Sequence, residues 1–109
     1  MAWITLDNLA QLEKINIDSF SRPQIIFKHS IRCSISGMIK NRLAKAEAPS
    51  DIDFYYLDLI NYRLISNKIA EYYNIRHESP QILVIKNGEC VYSESHHAIF
   101  MEDILTQAK

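Results

Sequence analysis

The sequence predicts an α/β domain in which a small mixed β-sheet carries helices on both faces. Three observations support that expectation. Short apolar runs of strand length alternate with segments whose apolar residues recur at helical spacing. The last two strand-like runs are separated only by Asn87-Gly88, the strongest two-residue hairpin signal in the chain. The 109 residues are 48% hydrophobic with two glycines and three prolines, which suits one core and a single domain over 1–109.

Taken in order, residues 3–6 are expected as a short first strand. A helix follows, with Leu6, Leu9, Leu12 and Ile15 at helical spacing. Arg22-Pro23 breaks it, and 24–29 (QIIFKH) reads as an apolar strand. After Cys33 the period changes: Ile35, Met38, Ile39, Leu43 and Ala46 mark one face of a helix that stops before Pro49. Residues 54–60 are β-rich, and 62–74 read as a helix with Ile65, Ile69, Tyr72 and Tyr73 on one side. Strands at 81–86 and 89–94 flank the turn, and 98–108 has the spacing of a last helix through Ile99, Ile104 and Leu105. Strands joined through helices need parallel crossovers, whereas a two-residue turn makes the final pair antiparallel. The order β-α-β-α-β-α-β-β-α therefore gives a small mixed sheet with helices on both faces, an arrangement that resembles the thioredoxin-like fold.

Composition excludes several classes of function. No apolar run approaches the roughly 18 residues of a membrane span, and the N-terminus lacks a signal-peptide pattern. The expected address is the cytoplasm, where thiols stay reduced. Two cysteines cannot build a four-cysteine zinc site, so no metal is expected. The formal net charge of -1 hides an asymmetry: 19–47 contains Arg22, Lys28, Arg32, Lys40, Arg42 and Lys45 against the single acid Glu47. With no recognisable nucleic-acid motif, that basic stretch reads as local to a site rather than as a nucleic-acid footprint. A monomer is expected.

Cys33-Ser34-Ile35-Ser36 stands where an apolar strand gives way to an amphipathic helix. Unsatisfied N–H groups and the positive end of the helix dipole favour thiolate over thiol there, and Lys28 and Arg32 push the same way. Ser36, one turn along, can offer its hydroxyl to that thiolate but cannot close a disulfide, so the site is monothiol. The plain alternative for Cys33 is a small buried hydrophobe at a strand end.

Ser79-Pro80 opens the fourth strand, where proline is tolerated; the residues alone favour an ordinary trans bond, although cis is accessible at modest cost. With Asn87 and Gly88 as turn residues, Lys86 should face Glu89, Ile85 should face Cys90 and Pro80 should face Ser95. Ser95-His96-His97 then returns to the end of the sheet that carries Pro80. There the start of the last helix could bind an anion, with the histidines as added donors. The same register leaves Cys90 about 15 Å from Pro80 at strand rise, beyond the roughly 7 Å Cα limit of a disulfide, so it reads as sheet packing.

Three segments now carry a resemblance over nearly the whole chain: Lys28-His29-Ser30-Ile31-Arg32-Cys33-Ser34-Ile35-Ser36, Arg76-His77-Glu78-Ser79-Pro80-Gln81 and Ser95-His96-His97-Ala98-Ile99. In that order they resemble the signature regions of the monothiol bacilliredoxins. The His-Glu-Ser-Pro-Gln string discriminates most and Cys-x-x-Ser least. The resemblance implies an oxidoreductase that removes bacillithiol from protein mixed disulfides. It implies a cis-proline facing the reactive cysteine, with bacillithiol as co-substrate, no tightly bound cofactor and bacillithiolated proteins as partners. Cys33 and Ser36 are then the catalytic candidates, and Lys28, Arg32, Ser34, Ser79, Pro80 and His96 are the substrate-binding ones. His77 and Glu78 are expected to order the loop before Pro80. Family members commonly carry proline after the reactive cysteine where this chain has Ser34, which removes a preorganised first helical residue. The Cys-Gly-Phe-Ser string of cluster-binding glutaredoxins is absent. Two rival readings are a general thiol transferase using another small thiol and a redox-silent module that binds peptides at the proline loop.

Overall fold

The computed structural model describes residues 2–109. Its elements are β1 (Ile4–Thr5), α1 (Ala10–Asp18), β2 (Gln24–His29), α2 (Ser34–Ala44), β3 (Asp53–Asp58), α3 (Arg63–Tyr72), β4 (Gln81–Lys86), β5 (Glu89–Ser95), a 3-10 turn (His96–Ala98) and α4 (Met101–Ala108). The five strands form one sheet in the order β1-β3-β2-β4-β5. β1, β3 and β2 run parallel, while β4 runs antiparallel to both β2 and β5. Among the described residues no helix is long and apolar enough to cross a membrane.

β2 lies in the centre and is buried along its whole length, which is why it reads as an unbroken apolar run. Its alternate residues feed two cores. Ile26 joins Leu12, Ile15, Ile65, Ile69, Leu83 and Ile85 beneath α1 and α3. Ile25 and Phe27 join Ile39, Leu43, Ile82, Val84 and Ile104 beneath α2 and α4. Helices on both faces follow directly from this two-sided burial.

The structure moves three expected details. Leu9 and Tyr72 are exposed, because Leu9 precedes the first turn of α1 and Tyr72 lies at the solvent edge of α3. The last helix starts at Met101, since His96–Ala98 form a separate 3-10 turn and Phe100 is extended. The hairpin begins as expected, with Asn87 and Gly88 both at positive φ, Lys86 facing Glu89 and Ile85 facing Cys90. A bulge then shifts the register, so that Val84 faces Tyr92 and Ser95 faces Gln81 rather than Pro80. The extra residue turns Cys90 toward the α1/α3 core and Tyr92 toward the α2/α4 core. Strict alternation would have put both on one face.

Candidate active site

The chemistry-bearing segments converge at one end of the sheet because of strand direction. Lys28 faces Gln81, Gln81 faces Ser95 and His29 faces Asp58. The exit of β2, the entry of β4 and the exit of β5 therefore lie side by side.

Cys33 follows β2 by four residues and occupies the N-cap position of α2 with extended backbone, half-buried and unpaired as a thiol. Its N–H donates to Ser30 O at 3.2 Å, and its carbonyl accepts from the Gly37 N–H at 3.2 Å. The sulfur makes no capping hydrogen bond, so it is not tied to its own helix. Ile31, Arg32 and Ser34 around it are exposed. Ile31, largely exposed, adds apolar surface next to Arg32 in the chain.

Ser36 is fully buried one turn on, and its hydroxyl faces away from the role expected of it. Ser36 Oγ lies 2.6 Å from His29 Nδ1 and accepts the Ser30 N–H at 3.1 Å. His29 stacks against Phe27 and Tyr56, and burial together with Lys40 pushes its imidazole below the usual histidine range. A neutral imidazole accepts at one nitrogen.

Lys28 corrects a second expectation. It was expected to offer docking charge, yet it is 0% exposed. Strand alternation sends it to the same face as Ile26, into the α3 layer. Its Nζ donates to Ser66 O at 3.1 Å and lies 3.3 Å from His77 Nδ1, which also lies 3.3 Å from Ser66 Oγ. With no carboxylate in contact among the described residues, burial pushes the amine down to about 8. Burial and the nearby Lys28 and Arg63 also push His77 down, and facing the Lys28 ammonium, which can only donate, Nδ1 is the accepting nitrogen. The loop before β4 is thus fastened through His77, and again where Gln81 Nε2 donates to Arg76 O at 2.9 Å.

Ser79-Pro80 is cis, with Pro80 buried. Its carbonyl accepts the His96 N–H at 3.0 Å, while the shielded Ser79 Oγ has no hydrogen-bond partner among the described residues. His96, at positive φ, turns its Nε2 to within 3.8 Å of Glu78 Oε2. No anion cradle forms at the last helix: α4 begins beyond the histidines and carries Glu102 and Asp103 in its first turn. Arg42 instead reaches across from α2 to the carbonyls of His97 and Ile99 at 3.0 and 2.9 Å, with its guanidinium over Phe100.

Cys90 sits beside the turn at the far end of β4 and β5, facing Ile85. Burial pushes its thiol up, and its Sγ contacts Tyr92 O at 3.4 Å. It is a packing residue. His29, Ser66 and Arg42 drew no individual site role from the sequence; His29 carried a signal in the Lys28-His29-Ser30 string and Arg42 in the basic stretch, whereas Ser66 carried none.

The family model described as Monothiol bacilliredoxin BrxC matches residues 4–104. A solved structure described as a candidate oxidoreductase with a thioredoxin fold is 30% identical, covers 97% of this chain and 93% of its own, and superposes with a TM-score of 0.84. The thioredoxin of Fasciola hepatica is 21% identical over 96% of this chain and 98% of its own, with a TM-score of 0.76. The thioredoxin of Malassezia sympodialis is 17% identical over 99% and 92%, with a TM-score of 0.74. The two thioredoxins show the shared fold.

Proposed function

The chain belongs to the monothiol bacilliredoxin family, and from that premise we propose that it removes bacillithiol from protein mixed disulfides through Cys33. The family and the thioredoxin fold give it a thiol redox role. The observation that carries the finer reading is the placement of a single half-exposed thiol at the start of α2, on the sheet end that holds cis-Pro80, with serine at the position of a resolving cysteine.

In this reading the Cys33 thiolate attacks the bacillithiol sulfur of a protein-S-S-bacillithiol adduct. The old disulfide breaks, the client cysteine leaves as thiolate and takes a proton from water, and Cys33 becomes bonded to bacillithiol. Ser36 has no thiol to displace it, so a second bacillithiol thiolate attacks the carried sulfur, releasing bacillithiol disulfide and regenerating Cys33. Bacillithiol bears malate carboxylates, for which exposed Arg32 is the nearest cation in sequence. This reading assigns substrate contacts to Ser34, exposed next to Cys33, and to Ser79, Pro80 and His96 on the same end of the sheet. Lys28 acts from below, through His77 and the loop before Pro80.

Incubation with a bacillithiolated substrate, followed by mass spectrometry, tests this. Transfer of the adduct to Cys33 is expected, abolished by Cys33→Ala and retained in Cys90→Ala. Processing of a glutathione adduct with none from bacillithiol would replace the proposal by a general thiol transferase, and no transfer at all by a binding module.

A further inference from the structure

Ser36 belongs to the Cys-x-x-Ser string, and the simplest role for such a hydroxyl is to stabilise the thiolate directly. The hydrogen bonds around it describe something else. Besides the Ser30 N–H, the hydrogen-bonding contact of Ser36 Oγ among the described residues is His29 Nδ1, at 2.6 Å; with the neutral ring protonated at Nε2, the hydroxyl proton is given to the imidazole. The oxygen itself accepts the Ser30 N–H at 3.1 Å. Ser30 in turn accepts the Cys33 N–H through its carbonyl at 3.2 Å, and its Oγ accepts the Arg32 N–H at 3.4 Å. Ser36, His29 and Ser30 are all buried. The chain between the end of β2 and the first turn of α2 is thereby tied into a closed knot, and the backbone of Cys33 hangs from it.

We infer that Ser36 and His29 are positioning residues that act as a pair, holding Cys33 through Ser30 rather than touching its sulfur. The inference deepens the thiol-exchange reading above and rests on Cys33 being the nucleophile, not on bacillithiol being the carrier. His29 gives the Ser36 proton a fixed destination, and that leaves a Ser36 lone pair aimed at the Ser30 N–H. Removing either partner releases Ser30 and with it the cysteine. The buried ring of His29 is held by Phe27 and Tyr56, at centroid distances of 5.8 and 5.5 Å, so the acceptor cannot swing to another partner.

The test uses 5,5′-dithiobis(2-nitrobenzoate) in a Cys90→Ala background. The Cys33 thiolate displaces one coloured thionitrobenzoate and keeps the other as a mixed disulfide, a step that needs no bacillithiol. Rates are taken per folded molecule. Ser36→Ala and His29→Phe should each slow exchange by about tenfold, the scale of one buried hydrogen bond. The double variant should be no slower than the worse single one, since the two residues act as one unit. His29→Asn places an amide oxygen near the position of Nδ1 and should recover most of the rate. The pH midpoint of Cys33 alkylation by iodoacetamide should be the same in all of them. Multiplicative losses in the double variant would overturn the inference. So would a raised alkylation midpoint in Ser36→Ala that His29→Phe does not share, which would put the hydroxyl at the sulfur. Unchanged rates per folded molecule would reduce the pair to a stability element and overturn it equally. Failure of bacillithiol transfer with this pattern intact would sink the carrier assignment alone.

Discussion

Lys28 shows how one side chain can change role between sequence and structure. A lysine five residues before a reactive cysteine suggests docking charge, yet alternation along β2 turns it inward, and its amine ends on Ser66 and His77. Burial pushes it from 10.5 down to about 8. Between those values the unfolded chain keeps a proton that the folded protein has given up, so this group's contribution makes stability rise with pH across that window. Below pH 8 the folded state carries the full cost of a buried ammonium. Lys28→Met removes the titration. Urea unfolding at pH 7, 8.5 and 10 should show the variant's stability relative to the parent falling by up to roughly 3 kcal/mol as pH rises. A pH-independent difference would refute the assignment. His29 and His77, both held below the usual histidine range by burial, act in the same direction at lower pH. Each favours the fold above the unfolded histidine value, and that contribution is lost as pH falls through its folded value.

At the scale of elements, the β4–β5 hairpin decides which cysteine matters. Its turn was legible because Asn-Gly suits two left-handed residues, and the tertiary structure fixes it further: Asn87 N–H donates to Ser19 O and Gly88 N–H to Ser19 Oγ, both at 2.9 Å. Gly88 has φ +78°, and a Cβ there would come within 2.9 Å of the Phe20 ring. The exposed ring can move, so backbone strain dominates, and Gly88→Ala should cost about 1–2 kcal/mol in chemical denaturation while leaving Cys33 exchange unchanged. The bulge opposite Val84 and Ile85, with Val91 as the extra residue, was not legible, because nothing local marks the unpaired residue; it follows from both faces of β5 having cores to satisfy. The start of α4 was misplaced for a related reason. Ile99 is buried and fits the helical spacing, but it reaches the core from an extended segment whose carbonyls Arg42 holds.

Over the whole molecule, the basic stretch of 19–47 dissolves once the chain folds. Lys28 is buried, Arg22 pairs with Asp53 at 3.2 Å, Lys40 lies over Tyr56 and Arg42 is bound to carbonyls. Arg32 and Lys45 remain exposed, Arg32 next to Cys33 and Lys45 at the other end of α2, about 18 Å from Cys33 at helical rise. The positive charge at Cys33 is therefore local. Arg32→Gln should lower the low-salt rate of Cys33 exchange with an anionic disulfide by about two- to fivefold, with the gap closing at high salt. Lys45→Gln should have no such effect in the same stopped-flow series. Equal effects from the two would mean that net charge, not placement, sets the rate.

The sequence by itself determined the order of elements, the two-sided sheet, the hairpin turn and the separation of Cys33 from Cys90. Those features rest on periodicity and on turn chemistry, which are local in the chain. The tertiary structure alone decided that Lys28 points inward, that Ser36 serves His29 and Ser30, that β5 slips by one residue and that one basic residue is left exposed beside the thiol. Each of these depends on which distant side chain or backbone group lies across the sheet or the next layer, and strand or helix spacing names a face without naming what fills it.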